Sequence, residues 1–211
     1  GTAADAMAAQ LGVRLLKETR ASGIDRARKA LLTDRGEVPY VRLVLALGAD
    51  PIRLTLAGNA ADAVLSVNDL ADYARLRAAL DGVRSVAILG AGLIGCEFAN
   101  DLAAADHAVT VLDPAAWPLA TLLPQAAGEA LLAPLEKLGV TWRLGQAVTQ
   151  VDHSESGYRL TLGNGETLSI DLVLSAVGLR PRIALAKDAV LVVNRGIVAD
   201  AFLRTSDPDI H

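Results

Sequence analysis

The sharpest alternation of apolar and polar positions in the chain lies between residues 85 and 113. Val86-Ala87-Ile88-Leu89 is an unbroken apolar run, the size of one buried strand. Ile94, Phe98 and Leu102 then recur four apart, the spacing of an amphipathic helix, and Ala108 to Leu112 predicts the next strand. On either side the same patterning continues. Ala3 to Leu11 reads as a helix, Val13 to Thr19 and Lys29 to Thr33 as short strands, and Leu43 to Leu47 as a fully buried strand. A helix runs from Leu70 to about Leu80, capped by Asn68 or Asp69 and ended by Asp81-Gly82, and another from Pro124 to Leu138, closed by Gly139. Val140 to Leu144 is a strand. Ala147 to Asp152, Tyr158 to Leu162 and Glu166 to Ile170, separated by Ser156-Gly157 and Asn164-Gly165, predict an antiparallel excursion with hairpin turns. Asp171 to Val177 returns as a buried strand. Strands alternating with helices call for an α/β fold with a parallel, doubly wound sheet.

The turn between the first strand and helix of the 85–113 unit carries G-x-G-x-x-G at Gly90, Gly92 and Gly95. Gly90 allows the tight turn, Gly92 lets backbone approach a pyrophosphate, and Gly95 lets the helix lie close to the sheet. The free N–H groups and positive dipole end of that helix then face the phosphates, so Gly90, Ala91, Gly92, Leu93, Ile94 and Gly95 are the candidate cofactor-binding residues of the turn. An acid follows where such a site needs one: Asp113 ends the second strand, 23 positions after Gly90. A carboxylate there accepts hydrogen bonds from the adenosine ribose hydroxyls and repels a 2′-phosphate. No Lys or Arg follows until Lys137, so the site is expected to favour NAD(H) over NADP(H). The plainer alternative is a tightly packed strand-turn-helix that binds nothing.

Composition narrows the rest. Of 211 residues 52% are hydrophobic and 21% charged, enough for a sizeable core. No run of 18 apolar residues predicts a membrane span, no signal peptide is visible, and the expected compartment is the cytoplasm. A net charge of −4 argues against nucleic acid as a partner. Residues 1–42 carry +3 and the remainder −7, an asymmetry of a solvated face. The single cysteine, Cys96, excludes an internal disulfide, a C-x-x-C redox pair and a multi-cysteine metal site; Cys96 is expected to be a small buried apolar residue. His107, His153 and His211 have no ligand-like spacing, so no metal site is expected, and Trp117 and Trp142 are expected to pack.

Four phrases in order, LVLALGADPIR (Leu43 to Arg53), LGAGLIGCEFANDL (Leu89 to Leu102), DLVLSAVGLRPR (Asp171 to Arg182) and NRGIVADAFLRTS (Asn194 to Ser206), resemble the rubredoxin–NAD reductases, within the FAD-dependent pyridine nucleotide-disulfide oxidoreductase superfamily. The resemblance implies a Rossmann-like NAD-binding domain inserted in an FAD-binding domain that is incomplete here. It places an incomplete FAD-domain segment at 1–70, the NAD-binding domain at 71–184 and a return segment at 185–211. The family's N-terminal glycine fingerprint and the Gly-Asp pair that follows the RTS phrase are absent from this sequence. The chain is therefore read as a fragment that holds NAD(H), binds FAD weakly if at all, and is inactive alone. In the intact relative, NADH would reduce flavin, and flavin would pass electrons singly to rubredoxin or another small electron-transfer protein. Such chemistry belongs to the cofactors, and the lone cysteine agrees, since disulfide-reducing members need a pair. The resemblance further implies that Glu97 lies near the nicotinamide, as the one candidate catalytic residue, and that Val177 and Gly178 make a second contact with the coenzyme. For Glu97 a surface glutamate favoured by the helix dipole is the alternative; for Gly178, a strand terminator with positive φ. Gly48 would touch flavin only in an intact protein. Two other functional readings remain: a standalone nucleotide-binding module without turnover, and a superfamily relative whose acceptor is ferredoxin, nitrite or oxygen.

Overall fold

The computed structural model describes residues 2–211. In chain order the first elements are α1 (Ala4–Leu11), β1 (Ala21–Asp25), β2 (Ala30–Thr33), β3 (Gly36–Pro39), β4 (Ala49–Pro51), β5 (Leu65–Ser66), α2 (Leu70–Ala79), β6 (Ser85–Leu89), α3 (Leu93–Ala104) and β7 (Ala108–Asp113). They are followed by α4 (Gln125–Glu129), α5 (Leu132–Lys137), β8 (Thr141–Leu144), β9 (Val148–Ser154), β10 (Gly157–Leu162), β11 (Thr167–Ile170), β12 (Leu172–Ser175), β13 (Leu179–Pro181) and α6 (Ala184–Asp188). The chain divides into two compact units, one made of the residues up to Ala49 with Pro181–His211, the other of Asp50–Arg180. Among the described residues no helix is long and apolar enough to cross a membrane.

The Asp50–Arg180 unit is built on a five-stranded parallel sheet in the order β5-β12-β6-β7-β8. Its middle strand, β6, is apolar at every position from Val86 to Leu89 because both of its faces are covered. Side chains alternate across the strand. Val86 and Ile88 pack with Val109, Val111 and Leu174 against Leu76 of α2, Ala99, Leu102 and Ala103 of α3, and Leu135 of α5. Ala87 and Leu89 pack the other way, with Leu112 and Val173, against Val151, Leu160, Leu162 and Ile170. Those four belong to β9, β10 and β11, the expected antiparallel excursion, which covers the second face as a three-stranded sheet. Two carboxylates fix the ends. Asp69 caps α2 by accepting the Asp72 N–H at 2.8 Å. Asp171 accepts the N–H groups of Arg84 and Ser85, both at 2.9 Å, and so ties the start of β12 to the start of β6. Those bonds, the Ser85 one foremost and the Arg84 one next, hold the Asp171 carboxyl below the usual carboxylate range.

In the other unit β1, β2 and β3 form an antiparallel meander, and α6 packs on β1. Its core is Ala186, Ala189, Leu191 and Ile210, against which Ile24, Tyr40, Leu43 and Leu45 rest.

Four local expectations are corrected. Val13 to Thr19 forms no strand; among the described residues no strand pairs with it, and Val13, Leu15 and Leu16 are exposed. Leu43 to Leu47 is not a fully buried strand. It makes an isolated parallel bridge between Leu43 and Ile210, and its exposure alternates, with Leu43 and Leu45 half-buried and Val44 72% exposed. One face is covered, the other is not. The helix expected over 124–138 is two helices, α4 and α5. Pro134 lacks the N–H that would bond Ala130, and it is tolerated because it lies in the first turn of α5. The buried stripe of α3 is Gly95, Ala99, Leu102 and Ala103, while Ile94 stands half exposed at the helix start and Phe98 is only partly buried.

Candidate dinucleotide-binding site

The carboxyl ends of β12, β6 and β7 meet at one edge of the sheet. From β6 the chain passes through α3 to β7 on one side, whereas β12 pairs with β6 on the other, so this edge is a topological switch point where α/β sheets bind ligands. The strand ladder runs on into the turn: the Gly90 N–H donates to the Leu112 carbonyl at 2.8 Å, and the Ala176 N–H to that of Leu89 at 2.7 Å. The three glycines then differ. Gly90 has φ +112°, and a Cβ there would lie 2.7 Å from the Ala176 carbonyl oxygen. A Cβ at Gly95 would lie 1.9 Å from the Gly90 carbonyl oxygen, so the helix can seat only on a residue without a side chain. Gly92, the N-cap of α3, has nothing within 4 Å of that point. The turn is packed underneath and open above. Among the described residues the Gly92, Leu93 and Ile94 N–H groups have no acceptor, as the first turn of an uncapped helix leaves them.

A cavity of about 490 Å³ lies over this turn, within the range of small-molecule sites. Gly90, Ala91, Gly92, Leu93, Ile94, Asp113, Val177 and Gly178 all line it. Gly95 does not; it is buried beneath, where the close packing needs it. Gly178 has φ +105°, a conformation that favours glycine. Asp113 is half-buried and both its oxygens already accept backbone N–H groups, Oδ2 from Ala91 at 2.6 Å and Oδ1 from Ala115 at 2.7 Å. A carboxylate has about four acceptor positions, so two remain for sugar hydroxyls. Glu97 is not brought together with these residues. It is exposed on α3 and lines a second cavity of about 610 Å³, which shares Ile94, Ala176 and Gly178 with the first.

Sequence reasoning missed the far wall of the first cavity: Leu54, the 114–121 connection with Trp117 and Leu119, and Gln146 to Val148. The loops that follow the acid-ended strand and its neighbour were the available signal, since ligands sit over such loops. Trp117 packs as expected, with its indole N–H donating to the Leu123 carbonyl at 3.2 Å, but it also lines the cavity. Ser175 was missed too; it lines the second cavity, and its Oγ is buried without a hydrogen-bond partner among the described residues. Cys96 is half-buried, its thiol donating to the Ala91 carbonyl at 3.6 Å, and burial first, then the Asp113 charge, pushes it up from the usual thiol range. His107 Nδ1 sits 3.0 Å from the Val83 carbonyl, and His153 stacks at a tilt on Tyr158. Among the described residues no group of His, Cys, Asp and Glu could hold a metal ion.

Comparison with known proteins gives the family. The chain is 46% identical to the rubredoxin-NAD(+) reductase of Alcanivorax borkumensis, over 97% of this chain and 54% of that protein. It is 41% identical to the nitric oxide reductase FlRd-NAD(+) reductase of Aeromonas hydrophila, over 100% and 56%. The chain thus spans about half the length of the curated relatives it matches. Among solved structures, the ferredoxin reductase for the CYP199A2 system of Rhodopseudomonas palustris superposes with a TM-score of 0.89 at 30% identity, covering 97% of this chain and 51% of that one. The family described as pyridine nucleotide-disulphide oxidoreductase matches residues 4–211. With all but its first three residues inside that match, the chain belongs to the pyridine nucleotide-disulphide oxidoreductase family.

Proposed function

We propose that this chain is the NAD(H)-binding portion of an FAD-dependent oxidoreductase that passes electrons from NADH through flavin to rubredoxin or a similar small electron-transfer protein. One observation carries the reading: a glycine turn closed beneath and open above, with unpaired amides at Gly92, Leu93 and Ile94, faces a cavity that also holds the strand-ending Asp113. These residues fit a dinucleotide. The space beyond Gly92 is what a side chain would fill, and a diphosphate there would meet the three amides and the positive end of α3. Asp113 would take the adenosine ribose hydroxyls on its remaining acceptor positions, and its charge disfavours a 2′-phosphate. Val177 and Gly178 would let the coenzyme pass over the end of β12 toward the second cavity, where Glu97 would face the nicotinamide half.

Bound NADH supplies the hydride, and the chain's own work is to bind and orient it. The proposal gives 71–184 to the NAD-binding domain, and 1–70 and 185–211 to the flavin-binding part of the whole protein. Among the described residues the Gly90–Gly95 turn is the one glycine turn of its kind, and it is taken by NAD(H). Flavin therefore enters as the hydride acceptor of the whole protein and not as a ligand of that turn. The relatives' names support a rubredoxin-type acceptor; the FlRd-NAD(+) reductase among them makes the exact partner a matter for electron-transfer assays with purified candidates. The direct test is calorimetric titration of this chain with NADH and NADPH. NADH should bind and NADPH should bind more weakly. Heat from neither coenzyme would refute the reading.

A further inference from the structure

Asp113 holds the glycine turn as well as closing its strand. Its Oδ2 accepts the Ala91 N–H at 2.6 Å and its Oδ1 the Ala115 N–H at 2.7 Å. The Ala91 carbonyl in turn accepts the Leu119 N–H at 2.8 Å. Ala91, 2% exposed, is thus gripped at both ends of its own backbone by the segment that begins with Asp113. Its neighbours on either side are Gly90 and Gly92, residues whose backbone is the least self-determined of any. A turn made of such residues takes its shape from outside contacts. Here the charged one comes from Asp113, and bonds to a carboxylate are roughly twice as strong as neutral ones.

We infer that Asp113 is a positioning residue for the phosphate-binding turn: it sets the Gly92, Leu93 and Ile94 amides in place before a coenzyme arrives, apart from any contact with sugar hydroxyls. The inference rests on the dinucleotide reading above. Its physical content is preorganisation, since a turn already in its bound shape does not lose conformational freedom on binding. A carboxamide cannot replace the carboxylate here. Asn offers one carbonyl oxygen and an NH2 group, so one of the two backbone N–H groups would face a donor instead of an acceptor.

The test separates positioning from sugar contact. The chain and its Asp113→Asn variant are each titrated with NAD+ and with NAD+ lacking the 2′- and 3′-hydroxyls of the adenosine ribose. If Asp113 positions the turn, the variant loses on the order of tenfold or more in affinity for both ligands. If Asp113 acts only through the sugar, the variant's loss with NAD+ disappears with the dideoxy ligand, and the inference is overturned. Amide hydrogen exchange of the unliganded chain gives a second readout. The Ala91 N–H should be protected in the parent chain and should exchange at least about tenfold faster in Asp113→Asn, while Val86 and Ile88 stay slow. An Ala91 amide that exchanges in the parent chain at the rate of a free peptide would overturn the inference, even if the variant fails to fold. Absence of NAD+ binding to the parent chain would refute the dinucleotide reading itself, and the exchange rates would still decide the clamp.

Discussion

Two alanine substitutions, three residues apart in sequence, should separate a glycine needed for packing from one needed for a ligand. Gly95→Ala places a Cβ 1.9 Å from the Gly90 carbonyl oxygen and 3.0 Å from its carbonyl carbon. Both are backbone atoms of the turn, so relief requires α3 and the end of β6 to move apart. Alanine is the better helix former by about 1 kcal/mol, yet overpacking a fixed backbone costs about 1–3 kcal/mol and sometimes more. With so close an approach the net loss should be about 2 kcal/mol, or a fall in Tm of about 4–8 °C at 2–4 °C per kcal/mol for a chain of this size. Gly92→Ala meets nothing within 4 Å and Gly92 has φ −74°, which any residue adopts, so its stability should stay within about 0.5 kcal/mol of the parent. Its methyl group instead projects into the open space above the turn, and NADH affinity should fall by about tenfold or more, equivalent to 1.4 kcal/mol. Thermal melts followed by circular dichroism and NADH calorimetry on both variants check the pair. A Gly92→Ala chain that is as stable as the parent and binds NADH equally well would show that no phosphate lies against that residue.

Two further outcomes follow from single groups. Asp171→Asn should destabilise the chain at pH 7 by about 1 kcal/mol, through its bonds to the Arg84 and Ser85 amides. Because the folded carboxyl is held below its unfolded value of about 3.9, the parent's advantage is present above that pH and is lost as pH falls through the lower folded value. Urea midpoints of parent and variant should therefore converge below about pH 4, and an unchanging gap would remove Asp171 from this role. Cys96, half-buried and raised, should react with iodoacetamide at pH 7.5 more slowly than a free thiol such as glutathione; reaction at the free rate would contradict the burial.

Legibility from sequence tracked how locally each element is determined. The 85–113 unit was readable because a strand buried on both faces must be apolar throughout, and because its turn cannot be made without glycine at Gly90 and Gly95. The hairpins of β9, β10 and β11 were readable from turn residues and alternation. Leu43 to Leu47 misled because an apolar run does not say how many of its faces find partners, and here one does not. Val13 to Thr19 misled for a related reason: strand propensity without an adjacent strand gives no ladder. The far wall of the cavity, from Trp117 to Leu119 and from Gln146 to Val148, comes from loops whose assembly depends on tertiary contacts such as the Leu119 N–H to Ala91 carbonyl bond. The double engagement of Asp113 was invisible for the same reason; a spacing rule brings the acid to the turn without saying which atoms it meets.

The order of the parallel sheet has a consequence for synthesis. Strand β12, flanked by β5 and β6, is the last of the five to leave the ribosome. Until it emerges, one edge of the most apolar strand in the unit stands bare, an adhesive template for other nascent chains and a natural target for a chaperone. Ala176, which meets Leu89 and crowds Gly90, comes directly after it. The crevice is therefore completed from the carboxyl side, and a polypeptide stalled before Leu172 would own every glycine of the fingerprint without the floor on which they rest.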